Sequence, residues 1–258
     1  MAGSLTCVGL GMLLGGHITP ISRSYIENAD VVFTLVSNGV VELWVEEMNP
    51  NVVSLQKYYQ EGVSRNKTYE QMVQAIVREV QNGKNVVGAF YGHPGVFAKV
   101  PHDAIKQVRE IGANAHMEPG ISAEDCLFAD LGIDPGQLGC QQYEASQFMF
   151  YKRHIDPTAY LILWQVGIAG DKSLAKFSTG EEHRRLLTEL LQEVYPAAHK
   201  VLIYEAKVLP IDKTRIEEVE LGRLPLQNLN QHTTLVIPPS KKLMKNKKLL
   251  DKLAALEQ

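Results

Sequence analysis

The chain has 258 residues, long enough for one large domain or two smaller ones, each with a core of its own. Its 26 lysines and arginines face 29 aspartates and glutamates, a formal charge of -3, so electrostatics give no reason to expect nucleic acid or another polyanion as partner. Cys7, Cys126 and Cys140 are widely spaced without a CxxC pair, no run of roughly 18 apolar residues offers a membrane span, and no basic stretch introduces a signal peptide, which together predict a soluble, metal-free protein of the reducing cytoplasm.

Strand-like and helix-like segments then alternate with glycines at the joins, the grammar of an α/β fold. Leu5 to Gly9 reads as a buried strand, Ser22 to Asn28 as a polar helix opening at a serine N-cap, and Val31 to Val36 as a second apolar strand. Thr68 and Gln71 have the form of a capping box, and Met72, Val73, Ile76, Val77 and Val80 follow at helical spacing up to a stop at Gly83. Val86 to Tyr91 is the next strand, His102 to Glu110 the next helix, and Ala113 to Met117 a short strand that runs into Pro119-Gly120. A short helix from Ile121 to Leu131 and a turn at Asp134-Pro135-Gly136 mark a change of pattern. This predicts an N-terminal α/β lobe over 1–120 and a second over 121–240, with strands at Tyr160 to Trp164, Val201 to Tyr204, Ile216 to Leu221 and Thr234 to Ile237, and a helix from Glu181 to Val194. Over 241–258, Leu243, Met244, Leu249, Leu250 and Leu253 oppose a series of lysines. That pattern predicts an amphipathic helix docked on the body, with a membrane or peptide contact as the alternative.

Three glycine-bearing loops are the candidates for a site. Gly9, Gly11, Gly15 and Gly16 follow the first strand, but the spacing is wrong for a dinucleotide fingerprint, and Asp30 precedes a strand where the ribose-binding acid should end one. The other reading is a loop whose missing side chains let a ligand lie against the backbone. Tyr91-Gly92-His93-Pro94-Gly95 ends an apolar strand, where open α/β sheets collect ligands, and Pro119-Gly120-Ile121-Ser122-Ala123 joins another strand to a helix. Each alone is also a plausible tight turn; together they favour a site built from backbone N–H and C=O groups.

These residues resemble the class III, tetrapyrrole-methylase-like methyltransferases, and more closely the borosin peptide α-N-methyltransferases. The resemblance rests on Thr68 to Val73, Phe90 to Phe97, Glu118 to Ile133, Glu144 to Phe148 and Leu163 to Gly170, and extends from Leu5 to about Pro239. His93 stands where the general tetrapyrrole enzymes have the acid of a Gly-Asp-Pro loop, which argues against a porphyrin substrate. The similarity implies two α/β lobes with S-adenosylmethionine in the cleft between them, S-adenosylhomocysteine as product, and a homodimer. It looks like the split bacterial type, because no precursor segment follows Gln258, which implies methylation in trans of a separate precursor peptide. Resemblance assigns Tyr91, His93, Val96, Phe97, Ser122, Ala123, Gln165, Tyr204, Ala206 and Leu235 to the cofactor pocket. For His93, a structural role in the loop is the alternative.

A backbone amide nitrogen is a poor nucleophile because its lone pair is delocalised into the carbonyl. Methylating it requires a base near the nitrogen and a cation or donor near the oxygen. Tyr58, Tyr59, Arg65 and Tyr69 lie in one short segment and offer both, and the resemblance places Tyr59, Arg65 and Tyr69 on catalytic positions. A guanidinium beside a phenol lowers its pKa, so Arg65 is expected either to activate a tyrosine or to bind the imidate oxygen. Tyr58 has packing as its alternative reading, and Trp164 reads as core, whereas Gln165 beside it needs polar partners if buried. The rival functions are a C- or O-methyltransferase on a non-peptide substrate and a non-catalytic peptide-binding protein.

Overall fold

The computed structural model describes residues 3–60 and 62–257. In chain order the elements are β1 (Ser4–Gly9), α1 (Pro20–Glu27), β2 (Val31–Leu35), α2 (Gly39–Met48), β3 (Val52–Ser54), α3 (Arg65–Gln81), β4 (Asn85–Phe90), α4 (Lys99–Glu110), β5 (Asn114–Met117) and α5 (Ala123–Leu131). They continue with α6 (Pro135–Leu138), β6 (Cys140–Glu144), α7 (Ala145–Phe150), β7 (Tyr160–Trp164), α8 (Glu181–Gln192), β8 (Lys200–Glu205), β9 (Arg215–Glu220), β10 (Thr234–Ile237) and α9 (Lys247–Ala254). The chain forms two compact units. The first holds 1–133, 171–179 and 204–216, and the second holds 134–170, 180–203 and 217–258. The expected boundary at 120/121 is therefore corrected: α5 belongs to the first unit, and two later segments return to it.

The first unit is a five-stranded sheet in the order β3-β2-β4-β1-β5, with every observed pairing parallel. Parallel strands require crossovers, and helices cover both faces. Leu5, Cys7, Val31, Phe33, Val86 and Phe90 pack on one face with Met72, Ile76 and Val80 of α3 and Val100, Ala104 and Val108 of α4. Val8, Val32, Val87 and Ala89 turn to the other face, against Ile26 of α1 and Val41 and Val45 of α2. Alternate residues of nearly uniform apolar strands thus serve two cores. The loops leaving β1 and β4 depart in opposite directions, which puts the topological switch at the C-terminal ends of these neighbouring strands.

The second unit is built on a mixed sheet in the order β6-β7-β10-β8-β9, with β6 and β7 parallel and β7 and β10 antiparallel. Its core gathers Phe148, Leu161, Leu163, Leu187, Leu191, Tyr195, Val201, Ile203 and Leu235.

Most predicted elements lie within a few residues of those observed; the differences concern caps. The first helix opens at Thr19, whose hydroxyl accepts from the Ser22 N–H at 3.1 Å, with Pro20 in the first helical position. Ser22 is instead buried inside the helix. Thr68 caps nothing: α3 begins at Arg65, and Thr68 is buried within it. The capping box that exists is Ser122 with Asp125, where the serine hydroxyl accepts from the Asp125 N–H at 3.3 Å and the carboxylate accepts from the Ser122 N–H at 2.7 Å. Ser122→Ala should cost about 1 kcal/mol. That is a thermal midpoint lower by about 2–4 °C, and an unchanged midpoint in a calorimetric scan would show the cap to be idle. The expected docked C-terminal helix is also corrected. No residue of α9 is buried, and Leu249, Leu250 and Leu253 are half exposed. Among the described residues no helix is long and apolar enough to cross a membrane.

Candidate active site

The ends of β1, β4 and β5 meet backbone to backbone. Gly11 and Gly92 exchange hydrogen bonds, 3.2 Å from the Gly11 N–H and 2.9 Å from the Gly92 N–H, as an isolated antiparallel bridge. Both adopt positive φ, 71° and 65°. A Cβ on Gly9 would lie 2.4 Å from the Gly92 carbonyl oxygen and 2.9 Å from the Gly120 Cα, and one on Gly120 would lie 2.7 Å from that same oxygen. The expectation that these glycines make room for a ligand is therefore revised. The close approach is between the loops themselves.

Histidines fix the rest of this surface. His93 Nδ1 accepts from the Gly95 N–H at 2.9 Å, so in the neutral ring the proton sits on Nε2, and His102 Nε2 meets the Gly95 carbonyl at 2.9 Å. Both peptide groups of Gly95 are thus engaged within the protein, and the structural reading of His93 has a concrete form. In the first loop, His17 Nδ1 accepts from the Leu13 N–H at 3.1 Å. Burial, then the Lys207 ammonium, holds His17 below the usual histidine value, which keeps that nitrogen an acceptor. Burial raises the Cys7 thiol to about 12 and Cys126 to about 11, so neither offers a thiolate at neutral pH.

Beside this surface stands a group of tyrosines. Tyr59 follows a single 3-10 turn, Tyr69 lies one turn after Arg65 on α3, and Tyr91 is the residue after β4. The rings of Tyr59 and Tyr69 meet edge to face, with centroids 6.3 Å apart and planes at 88°. Burial raises the pKa of Tyr59 well above the tyrosine range, and Tyr69 and Tyr91 push it further the same way. The Arg65 guanidinium opposes this as the weakest influence. Tyr91 is raised as well, first by desolvation of its hydroxyl and then by Tyr69, although its side chain is 44% exposed. Of the two roles expected for Arg65, activating a tyrosine and binding the imidate oxygen, the first is opposed by burial, which holds Tyr59 in its protonated form at neutral pH. Tyr58 packs on the core with the Lys57 ammonium 5.5 Å over its ring, and the contacts of the group run through Tyr59 and Tyr69.

Arg65 is held by the segment at 171–176. Its N–H donates to the Leu174 carbonyl at 2.9 Å, and its Nη2 donates to the Lys176 carbonyl at 2.8 Å. Sequence reading missed this segment and missed Tyr91 as a member of the tyrosine group. The one local signal was Asp171-Lys172-Ser173, an Asp followed two residues later by a turn donor.

The remaining cofactor candidates divide by environment. Phe97 is 51% exposed with φ 50°, and Gln165, following β7, is half-buried with φ 60°. With Leu174 at φ 53° they are the non-glycine residues in the left-handed region among those described, a conformation of raised energy that marks constrained, often functional, backbone. Val96 is half-buried and donates its N–H to the His93 carbonyl at 3.3 Å. Ser122 spends its hydroxyl and N–H on the capping box, and Ala123 opens α5. Tyr204 is buried and donates to Asp130 at 2.8 Å; burial, then that carboxylate, raises its pKa. Ala206 is half-buried, whereas Leu235 lies wholly within the core of the second unit, paired with Leu163. Trp164 is core as expected, its Nε1 donating to Gln142 Oε1 at 3.0 Å.

Residues 4–225 match the tetrapyrrole (corrin/porphyrin) methylases. The chain belongs to that family. A methyltransferase/gymnopeptides precursor of Gymnopus fusipes is 42% identical over 244 residues, 92% of this chain and 58% of that protein. A methyltransferase/omphalotin A precursor of Omphalotus olearius is 39% identical over 262 residues, 99% of this chain and 62% of that protein. The chain thus spans about three-fifths of the length of the curated relatives it matches. Among solved structures, the uroporphyrin-III-C-methyltransferase of Thermus thermophilus shares the fold with TM-score 0.65 at 19% identity, covering 93% of each chain. The methyltransferase CobJ does so with TM-score 0.60 at 17% identity, covering 94% of this chain and 98% of its own. The fungal relatives are each a methyltransferase and a peptide precursor in one polypeptide. This overturns the expectation of a precursor supplied as a separate chain, and with it the split bacterial type.

Proposed function

We propose that this family member transfers methyl groups from S-adenosylmethionine to backbone amide nitrogens of a ribosomally made, borosin-type peptide. The observation that carries the reading is the grouping of Tyr59, Tyr69 and Tyr91 with Arg65 at the C-terminal edge of the parallel sheet, beside the stacked glycine loops. The residues of the first unit suit the donor: Tyr91 and Phe97 present exposed aromatic faces next to the His93 loop, apt for a purine or a sulfonium. Leu235 and the Ser122 hydroxyl do not fit as side-chain ligands, since one is core and the other a helix cap.

When bound, S-adenosylmethionine supplies an electrophilic methyl group. The chain's residues supply what the amide lacks. The Arg65 guanidinium stabilises the oxygen on which imidate charge develops, and the minor phenolate form of Tyr59 takes the amide proton and becomes the phenol. Methyl increments located on backbone amides by fragment mass spectrometry would support the proposal, and methyl groups confined to side chains would end it.

A pH profile tests the role of the tyrosines. With the pKa of Tyr59 raised above its ordinary value near 10, its phenolate fraction grows about tenfold per unit over roughly pH 7 to 9. A base that must ionise should therefore give a methylation rate that climbs across that range. A flat profile would leave the tyrosines as donors only. The same raised value means that the stability Tyr59 contributes is present below the ordinary tyrosine pKa and lost as pH rises through the folded one.

A further inference from the structure

We infer that Asp171 is a positioning residue for Arg65, acting through the carbonyl groups of the loop that its carboxylate folds. The inference rests on the proposed role of Arg65. Asp171 is 3% exposed, and both of its oxygens are fully engaged. Oδ1 accepts from the Ser173 N–H at 2.9 Å and the Ser173 hydroxyl at 2.5 Å, while Oδ2 accepts from the Ala175 N–H at 3.0 Å and the Lys176 N–H at 2.9 Å. A buried carboxylate is costly unless it is satisfied in this way. Burial alone would raise its pKa, and the four donated bonds together outweigh that and bring it below the usual value.

What those bonds accomplish is visible on the other side of the loop. With the N–H groups of Ser173, Ala175 and Lys176 turned to Asp171, the loop directs the carbonyls of residues 174–176 to the start of α3. Leu174 accepts from the Arg65 N–H at 2.9 Å, Ala175 from the Gly62 N–H at 3.4 Å, and Lys176 from Arg65 Nη2 at 2.8 Å. Leu174 reaches its place only in the left-handed region, φ 53°. Ser64, the N-cap of α3, makes no side-chain cap, so the loop carbonyl replaces the cap at Arg65. Backbone and guanidinium of one arginine are thus fixed by one loop, and the loop is fixed by one buried acid. That is the arrangement by which a supporting shell holds a reacting group in register.

The test fuses the precursor segment of the Omphalotus olearius relative to the full chain as acceptor probe. It compares methylation rates at saturating S-adenosylmethionine with S-adenosylhomocysteine affinity by calorimetry. Asp171→Asn, which turns one acceptor oxygen into a donor, should slow methylation about ten- to a hundredfold while leaving the affinity within about twofold. Added to Arg65→Ala it should slow the reaction no further, because the two residues act as one unit. Should Asp171→Asn not fold, Ser173→Ala keeps the carboxylate but removes its shortest bond, and should show a smaller slowing with the same non-additivity. A wild-type rate in the folded variant, or slowing that adds to that of Arg65→Ala, would overturn the inference. If Arg65→Ala itself runs at the wild-type rate, the reading of Arg65 fails instead, so the two failures are distinguishable.

Discussion

Arg65→Ala should slow methylation by roughly a hundred- to a thousandfold, the loss expected when a preorganised donor to a developing oxyanion is removed. S-adenosylhomocysteine should bind as before, and the fold should not suffer. Arg65 occupies the first position of α3, where the helix dipole is positive, and no acidic residue stands in that turn to offset it. A cation there opposes the dipole by about 0.3–1 kcal/mol, and alanine is the better helix former. The variant should therefore unfold at an equal or higher temperature than the parent despite losing the Lys176 contact, which is exposed. Activity lost while stability holds is the signature of a residue retained for chemistry. Arg65→Lys keeps the charge but not the planar fork, and should fall between the two. Loss of cofactor affinity with normal single-turnover chemistry would show that the roles of loop and helix have been exchanged.

The parts of this molecule legible in its sequence are those that local physics specifies. Val31, Val32 and Phe33 need no partner to be read as strand, and the run from Met72 to Val80 declares one face of a helix whose observed bounds are Arg65–Gln81. The true start of that helix was hidden because Ser64 makes no side-chain cap, while Thr68 and Gln71 imitate a capping box inside it. Tyr91 was read with the loop that follows it; its place beside Tyr69 depends on α3 and β4 being packed together, which one sequence does not display. The return of 171–179 and 204–216 to the first unit leaves no trace in composition. Left-handed geometry at Phe97, Gln165 and Leu174 is equally silent, since only glycine and asparagine advertise it.

The glycine loops have a packing role that the sequence alone does not announce, and they make the second large prediction. Gly9 reads as space reserved for a ligand, but the space is occupied by backbone: a methyl group there would sit 2.4 Å from the Gly92 carbonyl oxygen, with Gly120 and Pro94 at 2.9 and 3.1 Å. None of these is the end of a flexible side chain, so the clash is relieved only by separating the loops after β1, β4 and β5. Gly9→Ala should therefore cost roughly 3 kcal/mol or more, a midpoint lower by about 6 °C or more. It should also abolish S-adenosylhomocysteine binding, because Tyr91 and His93 lie in the loop that must move. Two other glycines separate this cause from glycine loss in general. A Cβ on Gly39 meets nothing within 4 Å, and that residue opens α2, so Gly39→Ala should be neutral or slightly stabilising. Gly15 is also uncrowded but has φ 69°, so Gly15→Ala should cost only the roughly 1 kcal/mol of a left-handed alanine. If Gly9→Ala behaves like Gly15→Ala and still binds S-adenosylhomocysteine, the stacked loops are not what holds the proposed cofactor site together.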